Sequence, residues 1–444
     1  MNIWHDYGFS TSPYAPDPVP PNDQGERLFV GRAEELRRVG MLLSSAATHP
    51  TIEGDNGVGK TSLVAVASYR AQRAFEDGAT TQLLIPLAQP LQLTAGDAPE
   101  EFVRRLYFAI AQAFIDNENV LRRGQRDMPN TDDVRAWLTA PIQRSGGGGG
   151  SILGAGGSFS YGSSTNTTAG FTEAGFKSAV DGWLKYAFPT PADGGFICVL
   201  DNLELLQTHK AARDLLETLR DALFSRPGLR WVLCGARGIM RAAAASPRLH
   251  GVLAEPMTLH PLDDEFVPDV VARRIEVFRT PGAEAYAPVD PDGFRHLYDV
   301  GNRNLRNALK YAEDYALWLQ LEQHARPPDA EKRELLEVWM AVTADSYLAD
   351  IRGVGPRAWE VFDGIVSRGG SISPADFGEF GFETPQAMRG QMQALEGSML
   401  VETSVDETDR RRRLIEVTSK GWIVNYKRSG YKTPSELSRS EPRE

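Results

Sequence analysis

One glycine-rich stretch constrains the fold of this chain more than any other part of its sequence. Residues 54–61 read GDNGVGKT and match the spacing G-x-x-x-x-G-K-[ST]. Thr51–Glu53 before the stretch predicts a short strand, and the residues from Lys60 to about Phe75 predict a helix after it. A glycine turn that joins a strand to a helix in this way is typical of an α/β fold with a parallel sheet.

The same stretch carries the residue types that phosphate binding requires. Glycines let consecutive backbone N–H groups turn inward around phosphate oxygens, and the N-terminus of the next helix faces the same oxygens. Lys60 would add a positive charge toward the β- and γ-phosphates, and Thr61 would supply a hydroxyl ligand for Mg²⁺. The stretch predicts a nucleotide site, and an accidental glycine-rich turn is the alternative.

A second predicted strand ends in a carboxylate that could share this site. Residues Phe196–Asp201 are apolar up to the final aspartate, and ligands bind at the carboxyl ends of parallel strands. We therefore predict Asp201 as a direct or indirect partner of Mg²⁺. Glu204 follows three residues later and is either the general base that orients the attacking water or an acid favoured by the first turn of a helix.

Strands and helices alternate along the first part of the chain. Besides Thr51–Glu53, the predicted strands are Gln82–Leu87, Phe196–Asp201 and Trp231–Gly235, and the helices between them include Glu100–Ile115, Phe171–Phe188 and Ala211–Phe224. Such alternation implies a parallel sheet covered on both faces. After Pro261 the pattern is helical through His324. Residues 145–170 hold ten glycines and no charge, which indicates a flexible insertion or a loop that orders on a partner.

The last hundred residues predict a smaller unit of short helices and a charged hairpin. Ser373–Gly381 is a short helix, and Thr384 and Pro385 start another that runs to about Glu396. Residues 401–403 and 414–418 form the two strands of the hairpin. This order of elements resembles a winged helix with the hairpin as its wing.

Two groups of basic residues in this unit could contact DNA. The helix after Thr384 carries Arg389, and the hairpin tip carries four consecutive arginines, Arg410, Arg411, Arg412 and Arg413. Four adjacent cations can neutralise phosphates and would make binding steeply salt dependent. Three acids, Asp406, Glu407 and Asp409, immediately precede them. A solvated tip with internal ion pairs, or a tip that docks on protein, is therefore an equal alternative.

These motifs resemble those of P-loop ATPases of the AAA+ and STAND type, in the branch that contains replication-initiator and signal-transducing ATPases. Residues 54–61 match the Walker A motif, and Ile197–Asp201 match Walker B. The resemblance covers roughly residues 28–325. It implies a three-layer P-loop NTPase core with a parallel sheet and a helical lid, to which the chain adds the C-terminal winged-helix domain.

The resemblance also implies roles for single residues. Phe29–Arg32 looks like the box near the adenine, Trp231–Arg237 like the sensor-1 strand, and Arg248 like an arginine finger that reaches a neighbouring subunit's nucleotide. In the sensor-2 segment, Arg306 fits the family's spacing better than Arg303. The predicted nucleotide-binding residues are Val30, Arg32, Gly54, Asp55, Asn56, Gly57, Val58, Gly59, Lys60, Thr61 and Ser62. The predicted catalytic residues are Lys60, Asp201, Glu204, Arg237, Arg248, Arg303 and Arg306, with Thr61 and Asp201 on Mg²⁺.

One position departs from the family pattern. These ATPases usually carry glutamate directly after the Walker B aspartate, and here that residue is Asn202. Either Glu204 takes over the role of general base, or hydrolysis is slow and the protein is a nucleotide-held switch. Two functions stay open: an ATPase whose nucleotide state moves the lid and the winged helix, or a non-hydrolysing adaptor that holds nucleotide and binds DNA or protein.

Composition limits the partners and the compartment. The net charge is −11, from 59 acidic and 48 basic residues, which argues against a wholly basic surface for nucleic acid or anionic membrane. Two cysteines in the chain indicate a reducing compartment. The N-terminus does not read as a targeting signal, and we find no apolar stretch of membrane-spanning length. We therefore expect a cytoplasmic protein.

Five segments follow from these patterns. We predict an extended Pro-rich arm (1–29), the P-loop ATPase core (30–262, with the insertion 145–170), a helical lid (263–328), a winged-helix-like domain (329–433) and a tail (434–444). The expected cofactors are ATP and Mg²⁺. The expected partners are ATP or ADP, duplex DNA through the winged helix, a protein effector and further copies of the chain, with no membrane.

Overall fold

The computed structural model describes residues 2–45, 48–93, 98–126, 131–132, 135, 138, 173–203, 209–235, 238–322, 326–405 and 413–440. Within these residues a parallel sheet of six strands and a separate antiparallel sheet of three strands are flanked by helices. None of the helices in the described ranges combines the length and the apolar content that crossing a membrane requires.

The larger sheet has its phosphate-loop strand next to an edge strand. Its strands are β1 (Thr51–Glu53), β2 (Leu83–Pro86), β3 (Leu91–Gln92), β4 (Gly194–Asp201), β5 (Leu229–Gly235) and β6 (Met257–Thr258). The order is β2-β4-β5-β1-β6, with β3 paired to the carboxyl end of β4. Ile52 of β1 lies between Cys234 of β5 and Met257 of β6. The loop after β1 therefore leaves the sheet where ligands bind in parallel α/β folds.

Helices precede, separate and follow these strands along the chain. They are α1 (Ile3–Asp6), α2 (Asp23–Leu28), α3 (Ala33–Ser45), α4 (Lys60–Glu76), α5 (Pro99–Asp116), α6 (Glu118–Arg123), α7 (Glu173–Ala187), α8 (His209–Leu223), α9 (Ile239–Ala244), α10 (Val267–Phe278), α11 (Pro291–Val300), α12 (Leu305–Leu321), α13 (Asp329–Asp350), α14 (Pro356–Ser367), α15 (Pro385–Gly397), α16 (Ser419–Arg428) and α17 (Pro434–Ser440). The helices and strands named above for the sheet region lie within two residues of the observed ends, while β3, α6 and α9 were not predicted.

Helices cover both faces of the larger sheet, which confirms the three-layer prediction. Phe196 and Trp231 are fully buried on one face in a cluster with residues of α5, α7, α8 and α9. Their neighbours Ile197 and Val232 are fully buried on the other face with residues of α3 and α4. Successive residues of a strand point to opposite faces, so continuous apolar strands follow from burial on both sides.

Three helices that follow β6, namely α10, α11 and α12, share a core, and we refer to them as the lid. Asp290 caps α11 by accepting a hydrogen bond from Gly293 N at 2.7 Å, and Pro291 follows at the first helical position. Tyr298 and Tyr315 are fully buried in the lid core, where they share a cluster with Trp339 of α13. The long helix α13 therefore packs against the lid as well as leading to the C-terminal helices.

The C-terminal unit comprises residues 356–440. Its sheet holds β7 (Ser371–Ile372), β8 (Val401–Val405) and β9 (Arg413–Val417) in the antiparallel order β7-β9-β8. The predicted hairpin corresponds to β8 and β9, while β7 was not predicted. The predicted short helix at Ser373–Gly381 is confirmed as a 3₁₀ helix over Pro374–Phe380. The Asp376 carboxylate accepts from Ser373 N at 2.8 Å, and this tight turn opens the 3₁₀ helix.

The N-terminal arm is extended only in part, because two short helices flank its prolines. Asn2 and Asn22 cap α1 and α2 through their side chains. Tyr7, Phe9 and Tyr14 are fully buried against the lid. The arm thus lies along the folded surface, and the stretch between Pro13 and Pro21 carries no helix.

Candidate functional site

The loop after β1 has the backbone geometry that phosphate binding requires. Gly57 and Gly59 have φ angles of +82° and +98°, a region that glycine enters without steric cost. A Cβ atom on Gly57 would lie 2.5 Å from Asn304 Oδ1, so the lid approaches the loop closely at this position. Gly59 also forms the N-cap of α4 without a side-chain cap. The free N–H groups at this helix start face the loop.

Lys60 lies inside the loop. Its Nζ donates to the carbonyl oxygens of Gly54 at 2.7 Å and Asp55 at 3.2 Å, and only 6% of the residue is exposed. These carbonyls hold the ammonium group inside the loop. Its positive charge therefore lies next to the space that phosphate oxygens would occupy.

Thr61 and Asp201 form an oxygen pair beside the loop. Thr61 Oγ1 donates to Asp201 Oδ2 at 2.6 Å, and Asp201 is 5% exposed at the end of β4. Asp201 Oδ1 also accepts from Asn202 N at 2.9 Å. A hydroxyl and a carboxylate are hard oxygen donors of the kind that Mg²⁺ takes together with substrate phosphates and water. These two residues therefore fit a magnesium ion. No cluster of three or more His, Cys, Asp or Glu suited to a metal occurs among the described residues.

Arg32 supports the loop from behind. Its Nη2 donates to Val58 O at 3.1 Å and to His260 O at 2.8 Å, and the residue is 7% exposed. It also pairs with Glu35 at 3.3 Å. The guanidinium thus joins the phosphate loop to the segment after β6. Ser62 Oγ accepts a hydrogen bond from Val19 N at 3.2 Å, which brings the N-terminal arm to the start of α4.

The two sensor-2 candidates lie in different surroundings. Arg306 lines the same cleft as the phosphate loop. Arg303 forms an ion pair with Asp264 at 2.7 Å and lines a cavity between the lid and the C-terminal unit. Asn304, the N-cap of α12, donates from Nδ2 to Asn56 O at 2.8 Å. The lid therefore contacts the loop through Asn304, a residue that was not predicted for the site.

A cleft joins these groups. It is lined by Pro16–Val19, Leu28–Val30, Arg32, Asn56–Ser62, Asp201, Asn202, Leu262, Val270, Arg274, Leu305, Arg306 and Leu309. Its lining combines the polar groups of the phosphate loop with the aliphatic side chains of Val30, Val270 and Leu309. A molecule with a charged part and a flat apolar part matches this combination.

Several predicted residues are not brought to the cleft or are not described. Glu204, Arg237, Arg410, Arg411 and Arg412 lie outside the described residues, and only the backbone of Arg413, in β9, is described. Arg389 is exposed on α15. Arg248 is 59% exposed, and its nearest ion-pair partner is Glu217 at 4.0 Å. The segment after Arg248 pairs with His49 just before β1, at the sheet edge opposite the phosphate loop.

One buried acid next to the loop was missed. Glu53, the last residue of β1, is 1% exposed and accepts hydrogen bonds from Gly238 N at 3.0 Å and Thr258 Oγ1 at 3.0 Å. Arg241 pairs with it at 2.8 Å. Glu53 therefore ties β1 to β6 and to the segment after β5 directly behind the phosphate loop. An acid at the end of a buried strand was the only signal in the sequence.

The comparisons with known proteins concern the fold. No protein-family model and no curated protein match this chain. Among solved structures, the Aeropyrum pernix ORC1 protein in complex with DNA is 16% identical, with 96% of each chain covered and a TM-score of 0.44. The Aeropyrum pernix ORC2 protein, in its ADPNP–ADP complexes, is 11% identical, with 96% of this chain and 97% of that chain covered and a TM-score of 0.43.

A third similar structure is Cdc6p from Pyrobaculum aerophilum. It is 14% identical, with 97% of this chain and 98% of that chain covered and a TM-score of 0.39. The α/β architecture of this chain is established by its own sheet order and by the glycine loop between β1 and α4.

Proposed function

We propose that this protein is a Mg²⁺-dependent switch that binds and hydrolyses ATP. The observation that carries the proposal is the 2.6 Å contact between Thr61 Oγ1 and Asp201 Oδ2 beside a glycine loop with Lys60 at its centre. Residues far apart in the chain thus present a hydroxyl, a carboxylate and an ammonium to one small volume. This set matches the needs of a nucleoside triphosphate with its magnesium ion.

Different residues of the cleft would carry out different parts of phosphoryl transfer. Lys60 and the loop N–H groups would hold the β- and γ-phosphates, and Thr61 and Asp201 would hold Mg²⁺. When bound, Mg²⁺ neutralises charge that develops on the phosphate oxygens. Arg306 would add positive charge at the γ-phosphate from the lid side. Glu204 is proposed as the general base for the attacking water.

We propose that residues 301–304 carry the nucleotide state to the C-terminal unit. Asn304 donates to Asn56 O of the phosphate loop, and Asn302 Nδ2 donates to Gly369 O, just before β7, at 2.9 Å. Asn302 and Arg303 have φ angles of +55° and +59°. Two consecutive non-glycine residues in this region store strain of about 1–3 kcal/mol each. A change at the phosphate loop would therefore be felt at the C-terminal unit through one strained turn.

An electrostatic interaction between the phosphate loop and the C-terminal unit supports this connection. Burial, reinforced by the nearby carboxylates of Asp55 and Glu402, raises the pKa of Glu416 to about 6. Asp55 belongs to the phosphate loop and Glu416 to β9, so β9 lies within electrostatic reach of the loop. The phosphates of a bound nucleotide would add negative charge near these acids.

The proposed partners follow from the C-terminal unit and the surface. We propose that the unit is a winged helix that contacts DNA or a protein effector through Arg389 and the arginines at 410–413. Arg248, exposed and remote from its own cleft, would serve a neighbouring subunit's nucleotide in a homo-oligomer. A cytoplasmic location is part of the same proposal.

A second candidate function rests on Asn202. This residue lines the cleft and has a φ angle of +56°, a conformation that asparagine adopts more readily than glutamate. Its backbone N–H holds the Asp201 carboxylate, so the residue at this position orients the carboxylate proposed to hold Mg²⁺. An adaptor that holds ATP without hydrolysing it would need the Mg²⁺-binding carboxylate in place but no general base at position 202.

Phosphate release by the purified protein separates the two candidates. The variants are Lys60→Ala, Arg306→Ala and Glu204→Gln, with Arg303→Ala as the matched control for the lid arginine. The switch proposal expects wild-type hydrolysis that the first three changes reduce at least about tenfold and that Arg303→Ala leaves nearly intact. Release by the wild type no faster than by Lys60→Ala, with nucleotide still bound to the wild type, would establish the adaptor.

A further inference from the structure

We propose that residues 7–22 of the N-terminal arm form a strap that keeps the lid closed over bound nucleotide and sets the rate at which the nucleotide leaves. The proposal rests on the proposed nucleotide site and adds a retention device to it. The strap is fixed on the lid, crosses the cleft and is fixed again on the core.

The attachment to the lid is buried and polar. Tyr14 is fully buried, and its Oη donates to Val289 O at 2.7 Å and accepts from Val289 N at 3.0 Å. Arg274 of α10 is 6% exposed and donates from Nη1 to Ala15 O at 2.8 Å and to Pro13 O at 3.3 Å. A buried guanidinium that loses such partners incurs a large desolvation cost. The strap therefore holds firmly on this side.

The attachment to the core lies next to the phosphate loop. Val19 N donates to Ser62 Oγ, one residue after Thr61, at 3.2 Å. The chain then turns so tightly that a Cβ atom on Gly25 would lie 1.8 Å from Pro20 O. Glu26 of α2 pairs with Arg70 of α4 at 2.7 Å. Both contacts join the arm to α4, the helix that begins with Lys60.

The span between the two attachments crosses the cleft. Pro16–Val19 lines it together with Val30 and Leu309. Pro16 and Pro18 have fixed φ angles and no N–H, so the span is stiff and has few hydrogen bonds of its own to lose. Because one end is held by α10 and the other by α4, the lid cannot move away from the core unless one attachment breaks. Nucleotide below the span leaves only after that event.

The test is the dissociation rate of a fluorescent ATP analogue, chased with excess ATP from the full-length protein in the presence of Mg²⁺. Arg274→Met removes the two bonds to the strap and keeps the length of the side chain. We expect release about tenfold faster, the equivalent of about 1.4 kcal/mol. Arg273→Met is the matched control, since Arg273 lies next to it on α10, is 59% exposed and pairs with Glu276 of the same helix at 3.8 Å. We expect it to match the wild type.

A second variant separates the strap from a direct contact between Arg274 and nucleotide. Tyr14→Phe removes both Oη bonds, and among the described residues Tyr14 is not part of the cleft lining. Faster release from both Arg274→Met and Tyr14→Phe, with thermal unfolding still cooperative, supports the strap. Release at the wild-type rate from Tyr14→Phe overturns it, whatever Arg274→Met does. If the wild type binds the analogue no better than Lys60→Ala, the proposed nucleotide site is wrong, and the strap proposal that rests on it is wrong as well.

Discussion

The hydroxyl of Thr61 and the carboxylate of Asp201 come from residues 140 positions apart and meet at 2.6 Å. Asp201→Asn keeps the size of the side chain and removes the charge that Mg²⁺ needs. We expect Mg²⁺-dependent ATP binding to weaken at least about tenfold, with Mg²⁺-free binding nearly unchanged. Equilibrium titrations with and without a chelator measure both values. Thr61→Ser, which keeps the hydroxyl, is the control, and an equal loss in both titrations would contradict a role on the metal.

Glu416 makes a pH-dependent contribution to stability. Its pKa in the folded protein is raised to about 6 by burial and by Asp55 and Glu402, above the ordinary value near 4.5. The folded state then binds more protons than the unfolded state between these pH values, so this group lowers stability as pH rises from about 4.5 to about 6. We expect Glu416→Gln to stabilise the protein by about 1–2 kcal/mol at pH 7 and hardly at pH 4. Denaturant unfolding at both pH values measures the difference, and an equal effect at both would contradict it.

At the scale of elements, the sequence predicted the strands and helices whose own apolar pattern defines them. Phe196–Asp201 and Trp231–Gly235 are continuous apolar runs because β4 and β5 are buried on both faces. The two-residue strands β3 and β7 have no such signature, since pairing with β4 and β9 defines them. The glycines, Lys60 and Thr61 were predictable because phosphate geometry requires those residue types.

Contacts between remote elements could not be predicted in the same way. The bond from Asn304 to Asn56 joins positions 248 residues apart, and nothing in the local sequence of either residue indicates it. The same holds for Arg274, whose buried guanidinium binds carbonyls of the arm 259 and 261 residues away. Asparagine and arginine are common on exposed helix ends and faces, so only the assembled fold distinguishes these copies from solvated ones.

The N-terminus of α12 has two separable roles. Asn304 Oδ1 caps the helix by accepting from Asn307 N at 3.2 Å, while Nδ2 donates to Asn56 O of the phosphate loop. Asn304→Ser keeps a capping oxygen but is too short for the second bond, and Asn304→Ala loses both. We expect Ala to unfold about 1 kcal/mol more easily than Ser, while both weaken ATP binding to the same extent. Chemical unfolding and ATP titration of the two variants test this, and equal stability would contradict the capping role.

At the scale of the molecule, three parts of the chain meet at residues 301–304. Asn304 contacts the phosphate loop, Arg303 pairs with Asp264 at the start of the lid, and Asn302 contacts Gly369 of the C-terminal unit. The strap adds a second link between lid and core across the cleft. From these links we expect a change at the nucleotide to move the lid and the C-terminal unit together.

Distances between spin labels test this coupling. Cys198 and Cys234 are fully buried, so labels go to cysteines introduced at Met41 on α3 and Met399 after α15, which are 62% and 63% exposed. We expect ATP with Mg²⁺ to shift the distance distribution between core and C-terminal unit. Asn302→Gly should reduce that shift without changing ATP affinity, because it removes the bond to Gly369 and tolerates the positive φ angle of the turn that holds Asn304. A full shift in Asn302→Gly would show that the signal reaches the C-terminal unit by another route, such as Asp55 and Glu416.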